Sequence, residues 1–445
     1  MNQVTGKESK PIVIIGAGFT GLAAAFELIK RGKKVTILEK SKSVGGLAGG
    51  FDLDGVTVER FYHHWFKSDQ YLMDLVKDIG QEENIIFQPT NTALLYDKKI
   101  FRLSRPIDVL RFTPLGFLDR IRLGLLVFKV RAVKDWKQLE SLTAKEWLLA
   151  LCGPKVYQIV WEPLLAGKFG PFADQISAVW FWNKLVLRGG SRDAYGREVL
   201  AYYRGGFGAL AEAITAHLRA QGAAVLTGVS ADGLRVKDGQ VTGVETGAGI
   251  LDADGLIITT PLPIAADLLA PHVPAEYTAK LRRVQYLANI CLVLVLDKPL
   301  SETYWLNVND SSFPFIGIIE HTNFIPPEVY GSRHIVYLSK YLPTSDRLYQ
   351  MSQKELVDFT IPYLEEMFPS FNRGAVLKSY VWRADHAQPI VEKHYSLLVP
   401  EVRTPVKRVF ISTMAQVYPE DRGTNYAIRD GKNVVTQMEN DGELS

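Results

Sequence analysis

The sequence predicts an α/β protein in which one sheet is assembled from separated segments and a second, mixed sheet-plus-helix domain lies between them. Three observations predict it. A strand, a glycine-rich turn, a helix and a second strand open the chain. Short, β-branched runs at 256–261 and 409–413 have the composition of further buried parallel strands. All eight tryptophans fall outside the segments that carry those strands. A chain of 445 residues also exceeds what one core fills, so two or three domains are expected.

Pro11-Ile12-Val13-Ile14-Ile15 is the first buried strand. It runs into Gly16-Ala17-Gly18-Phe19-Thr20-Gly21, and a helix from Leu22 to Arg31 follows, closed by Gly32. Val35-Thr36-Ile37-Leu38 is the second strand, with Glu39 and Lys40 at its end. Each part has a physical task. Gly16 permits the tight turn, Gly18 lets a diphosphate reach the backbone, and Gly21 lets the helix pack close to the strand. Unpaired N–H groups at the helix start favour the phosphates. Glu39 can accept both hydroxyls of an adenosine ribose. A dinucleotide cofactor is therefore expected.

Further along, Tyr203 to Leu210 leads a helix, 223–228 forms a strand, and a hairpin turns at Lys237-Asp238-Gly239-Gln240. Val409 to Thr413 is a late strand, and Gly423-Thr424-Asn425-Tyr426-Ala427 opens the last helix. The expected cofactor domain is discontinuous, built from 1–60, 200–285 and 403–445. The substrate domain is 61–199 and 286–402, with strands at 290–296 and 313–319 and a mainly helical part at 106–199.

After Glu39 the chain runs Ser43-Val44-Gly45-Gly46-Leu47-Ala48-Gly49-Gly50. This resembles the second glycine motif of the flavin amine oxidase clan, which includes protoporphyrinogen oxidases, phytoene desaturases and UDP-galactopyranose mutases. The resemblance implies FAD in a Rossmann-type, glutathione-reductase-like domain. It implies that Gly45, Gly46, Leu47 and Ala48 pass the diphosphate and ribityl chain, that Val229 holds adenine through its backbone, and that Met414, Gly423, Thr424, Asn425 and Ala427 lie at the flavin end. Leu47 stands where amine oxidases carry Arg, and the clan's Gly-Asp pair before the last helix is replaced by Ser412-Thr413-Met414. No second GxGxxG follows, so no separate nicotinamide domain is expected.

Candidate substrate contacts begin with Glu59-Arg60-Phe61-Tyr62-His63-His64-Trp65-Phe66. The mutases of the clan carry a His-Ile-Phe-His stretch there. Tyr62 and His63 are expected beside the flavin, and His63 and His64 are the candidates for proton transfer; the alternative is that both close a strand end. Adjacent His on a strand point apart, and no H-E-x-x-H is present, so no metal is expected. Lys168, in a stretch read as turn-rich (161–170), is an anion or flavin contact, or a solvated lysine. Arg383, in Trp382 to Pro389, can grip a carboxylate or phosphate. Tyr418 and Arg422 precede the last helix, near the expected end of the flavin ring. The tryptophans are core or the walls of an aromatic pocket.

The formal net charge of +3 argues against a nucleic-acid partner. Cys152 and Cys291 form no disulfide framework, and Met1 to Lys10 is polar with no secretory core, so a cytoplasmic protein is expected. From Phe101 to Lys134, eight Lys or Arg stand against two acids and interleave with Leu and Phe. That is the pattern of a helical region at the inner face of a membrane, or of a helical core with a solvated basic face.

The expected function is a FAD-dependent oxidase or desaturase moving a hydride from a bulky, apolar or lipid-linked substrate to flavin N5. The alternatives are a non-redox flavin mutase acting on a sugar nucleotide or lipid-linked sugar, and a flavin-free binding protein on the same fold. Oligomeric state is left open.

Overall fold

The computed structural model describes residues 10–103, 105–193 and 197–444; the polar stretch read at 1–9 lies outside them. A five-stranded parallel sheet has the spatial order Ala224–Thr227, Val35–Glu39, Ile12–Ile15, Gly255–Ile258, Val409–Ile411. Every residue of strands Ile12–Ile15 and Gly255–Ile258 is buried, as expected for a parallel sheet covered on both faces. The strands all fall within 1–60, 200–285 and 403–445, so chain segments far apart in sequence build one layer.

Helices Phe19–Lys30 and Thr424–Asn440 pack together. Gly431 permits it: a Cβ there would lie 2.4 Å from the Thr20 carbonyl oxygen. A three-stranded meander (Gly233–Lys237, Gln240–Thr246, Gly249–Asp252) follows, its first turn carrying Asp238 and Gly239 at positive φ, as the Asp-Gly pair requires.

The second sheet has seven strands in the order Val376–Pro389, Tyr286–Leu296, His334–Leu342, Gly317–Glu320, Trp305–Val308, Thr92–Tyr96, Lys99–Arg102. The strand expected at 313–319 is shorter; Phe313 and Phe315 are buried in the segment before it. Alternation gives the sheet two different faces. Cys291, Val293, Tyr337, Trp305 and Trp382 join the core shared with the cofactor half. Ile290, Leu292, Leu294, Val336 and Leu338 pack on Leu356, Ile361 and Leu364 of helix Gln353–Met367.

A helical block completes the molecule: Phe117–Ala132, Ala144–Val156, Glu162–Phe169 and Ala178–Gly190. The stretch read as turn-rich at 161–170 is helical. Its Pro163 sits in the first turn, where no backbone N–H is needed, so it starts the helix instead of breaking it.

Candidate active site

The cofactor cradle is made of backbone. Gly16 turns at φ +108, and a Cβ there would meet Thr259 Oγ1 at 2.6 Å. A Cβ on Gly21 would come within 2.0 Å of the Gly16 carbonyl oxygen. Gly45 and Gly46 both have positive φ, and a Cβ on Gly46 would stand 3.2 Å from Gly18 Cα. Gly18 itself faces open space, and the helix it caps, starting at Phe19 and Thr20, has no side-chain cap. Gly18, Gly45 and Gly46 thus converge on an uncapped helix N-terminus, a shape and polarity suited to a diphosphate.

Glu39 ends the second strand. Its Oε2 accepts from Ala17 N and its Oε1 from Ser41 N, each at 2.8 Å. Each oxygen keeps a lone pair for a ribose hydroxyl. Lys40 is exposed beside it. The Val229 N–H donates to the Glu39 carbonyl at 2.9 Å, which ties it to the second strand's end and leaves its own carbonyl for adenine. Leu47 and Ala48 lie in a single 3₁₀ turn after the glycine pair.

Arg60, quoted above only within its stretch, reaches into this loop. Its Nε donates to the Gly50 carbonyl at 3.1 Å, and its Nη2 bonds Ser43 Oγ. Burial lowers its pKa, and Glu39 opposes that. A cation thus stands beside the glycine pair although Leu47 supplies none. No local pattern marks it, because the contact spans ten or more residues.

At the other end, helix Thr424–Asn440 starts at Gly423, which is extended and uncapped by any side chain. Asn425 Oδ1 accepts from Leu72 N at 3.1 Å, tying this turn to helix Gln70–Asp78. Met414 is half-buried in a 3₁₀ turn after the last strand.

The structure separates His63 from His64. His63 packs on Phe207, with ring centroids 5.3 Å apart, and its Nδ1 lies 2.6 Å from the Phe61 carbonyl oxygen. Burial, with a smaller push from Arg422, lowers its pKa to about 4 against the Phe61 hydrogen bond, so the ring is neutral at pH 7. His64 turns to Tyr304, its Nδ1 3.0 Å from the hydroxyl, and packs on Phe66 and Trp305. Tyr62 stands edge-on to Trp305 and Tyr337 on the substrate sheet, and burial raises its phenol pKa.

Beside His63 lies a charged cluster. Asp421 is 5% exposed; it accepts from Trp180 Nε1 at 2.6 Å and pairs with Lys184 at 2.5 Å. Burial opposes its ionisation, but Lys184, Lys168 and Arg422 overcome that and hold its pKa well below the carboxylate range. The Lys168 ammonium lies 4.6 Å from the Trp180 ring centre and 5.5 Å from that of Tyr341. It is half-buried, not a solvated lysine. Arg422 donates to Gln388 Oε1 at 2.9 Å and to the Tyr341 hydroxyl at 2.8 Å. Lys168, Lys184 and Arg422 all bear on the buried Asp421, and Asp69, also buried, faces Lys184.

Arg383 is not part of it. Its Nε donates to the Tyr349 carbonyl at 2.7 Å and its Nη2 to that of Met351. Trp382 takes the cofactor-side face of the strand, which puts its neighbour Arg383 on the other. Tyr418 is also elsewhere, packed on Trp136 and Tyr395 with its hydroxyl bonded to Glu140. Of the tryptophans, Trp65, Trp147 and Trp180 are buried, and Trp161, Trp305 and Trp382 are half-buried.

Behind His63, Glu59 is 1% exposed. Its Oε1 accepts from Phe207 N at 3.1 Å and from the Tyr202 hydroxyl, capping helix Gly206–Ala220. Burial raises its pKa to about 7 against those hydrogen bonds.

A glycine cradle at one helix start, an acid at the next strand end and a second uncapped helix start define a dinucleotide-binding protein. The chain belongs to the flavin containing amine oxidoreductase family, whose model matches residues 19–438, and it is a FAD-dependent oxidoreductase. It is 24% identical over 461 residues to the zeta-carotene desaturase of Arabidopsis thaliana, covering 90% of this chain and 80% of that one. It is 26% identical over 316 residues to the coproporphyrinogen III oxidase of Bacillus subtilis, covering 64% and 66%. The fold is that of a reduced UDP-galactopyranose mutase, with a TM-score of 0.74 and 17% identity over 97% of this chain and 96% of that one. The cradle fits FAD, because Gly18 faces open space that a side chain would fill, while Gly16, Gly21 and Gly45 let the backbone close up around it.

Proposed function

We propose that the protein oxidises a bulky, largely apolar small molecule that carries an anionic group, in the manner of a desaturase or oxidase. FAD, when bound, supplies the hydride acceptor. The observation that carries the reading is the gathering of Lys168, Lys184 and Arg422 around the buried Asp421, walled by Trp180 and Tyr341. Arg422 and Lys168 would hold the anionic group, and Trp180, Tyr341 and Tyr62 would orient the apolar body. His63 would keep a neutral ring at the reacting end, where it donates or accepts one hydrogen bond without adding charge. The names of the desaturase and coproporphyrinogen oxidase relatives support an oxidative reaction on a large substrate.

In this reading Gly18, Gly45, Gly46 and Arg60 hold the FAD diphosphate, Gly16 and Gly21 shape the turn that presents it, and Glu39 holds the ribose. Segments 1–60, 200–285 and 403–445 act as the cofactor domain, and the rest binds substrate. The protein is proposed to work in the cytoplasm, in contact with the inner face of a membrane. Anaerobic mixing with paired apolar compounds, one carboxylated and one uncharged, tests the substrate class. Bleaching of the flavin band by the carboxylated member supports the reading. Equal or faster bleaching by the uncharged member overturns the anionic group, and activity only after prior reduction, with no net electron transfer, selects the mutase.

A further inference from the structure

Helix Phe117–Ala132 is apolar on two opposite faces. Leu123, Leu126 and Val130 are buried against the helical block. Phe117, Leu118 and Phe128 are 68%, 68% and 69% exposed, and Ile121 and Leu125 are exposed with them. At 3.6 residues per turn these five side chains fall within an arc of roughly 100° on the side away from the core. An outward stripe of this size is not the scatter of single apolar residues normal on a protein surface.

Cations border the stripe. Arg122 and Lys129 lie along one flank, and Arg120 and Arg131 along the other. Arg122 pairs with Asp119, Lys129 donates to the Leu151 carbonyl, and Arg120 to those of Leu110 and Leu115, which fixes their stems beside the stripe. The adjoining helix Pro106–Leu110 packs on this helix and adds exposed Ile107 and Leu110. Next to it is a groove lined by Arg102, Arg105, Arg111, Asp108, Ile100 and Ile107. Among the described residues, no helix is long and apolar enough to cross a membrane.

We propose that this face is a docking surface for an anionic phospholipid bilayer, with helix Phe117–Ala132 lying in the interface plane. The apolar stripe enters the acyl boundary and the flanking arginines and lysines meet lipid phosphates. Charge complementarity selects the occupant: a second copy would bring an identical basic rim against this one. The surface deepens the membrane contact proposed above and also bears on substrate. Helix Ala178–Gly190 packs beneath this helix, Trp182 Nε1 donating to the Val130 carbonyl at 3.1 Å, and carries Trp180 and Lys184 of the charged cluster. One helix separates the bilayer face from the site, a short route for an amphiphile with an acidic head and an apolar body.

The test is co-sedimentation of the flavin-loaded protein with phosphatidylcholine vesicles and with equimolar phosphatidylcholine and phosphatidylglycerol vesicles. The wild type is expected to bind the anionic vesicles, less so as salt rises. The exposed triple variant Phe117→Ser, Leu118→Ser, Phe128→Ser is expected to stay yellow and bind about tenfold more weakly or worse. The variant Arg122→Gln, Lys129→Gln is expected to lose the preference for anionic vesicles. A yellow wild type that ignores both vesicles, or a triple variant that binds as well, overturns the proposal. So does a wild-type dimer that the triple variant converts to monomer without vesicle binding by either. A wild type without flavin would overturn the cofactor reading instead, so the two failures are distinct.

Discussion

The Arg60 guanidinium carbon lies 5.2 Å from the centre of the Trp382 indole. One side chain thus joins the glycine loop of the cofactor half to an outer strand of the substrate sheet. Arg60→Gln keeps a hydrogen-bonding amide on a shorter side chain and removes the charge. It is expected to weaken FAD binding by about tenfold, on the scale of one charge-assisted hydrogen bond. Flavin release monitored by fluorescence measures this. Unchanged affinity would show that Arg60 only packs.

Gly18 and Gly21 separate cofactor binding from folding. A Cβ at Gly18 meets no protein atom within 4 Å, whereas one at Gly21 runs into Gly16. Gly18→Ala is expected to fold as well as wild type and to purify flavin-poor. Gly21→Ala is expected to lose stability outright. Thermal unfolding of flavin-stripped protein compares the two, and equal destabilisation would contradict the cradle.

Lys168→Met should raise KM for a carboxylated substrate by about tenfold, on the scale of a lost charge pair in a half-buried site. FAD content should stay unchanged. Arg422→Gln should act in the same direction and more strongly, because it also abandons Gln388 and Tyr341. Stopped-flow reduction against substrate concentration reads both. A change in the limiting rate with KM unaltered would move these residues from substrate holding to the chemical step.

Glu59 makes stability fall as pH rises. Its pKa is raised from 4.5 to about 7, so the folded chain binds a proton that the unfolded chain has released between those values. The contribution is fully present below pH 4.5 and lost as pH passes 7. Glu59→Gln keeps an acceptor for Phe207 and Tyr202 and removes the titration. It should gain on the order of 2 kcal/mol relative to wild type between pH 5 and pH 8. Denaturant unfolding at the two pH values decides it, and parallel curves would refute it.

His63, held at a pKa of about 4 by burial, stays neutral across the neutral range. The pH profile of substrate-driven flavin reduction should therefore show no histidine inflection between about 5.5 and 8. A wild-type inflection there that His63→Gln abolishes would mean the imidazole is charged in the working enzyme.

The cofactor half was legible because its signals are local. Gly16 to Gly21 and Glu39 act within one βαβ unit, and each glycine answers a steric demand of its immediate neighbours. The substrate half was less so. Trp382 and Arg383 stand together in sequence, yet strand alternation sends them to opposite faces, and parity cannot be assigned before the sheet is known. Pro163 marked a turn until its place in a helix's first turn was seen. Asp421 gave no sign of its role, because Trp180, Lys184 and Lys168 reach it from segments more than 230 residues earlier.

Residues 409–440 add the edge strand of a sheet that begins at residue 12 and the helix that Gly431 lets settle on Thr20. The nucleotide cradle is therefore among the first parts to be synthesised and among the last to gain its support. A growing chain presents the glycine turn hundreds of residues before the last helix exists. If the last helix holds the flavin end, FAD capture follows its completion, and a shortening that removes it is expected to yield flavin-poor protein with the glycine motif intact.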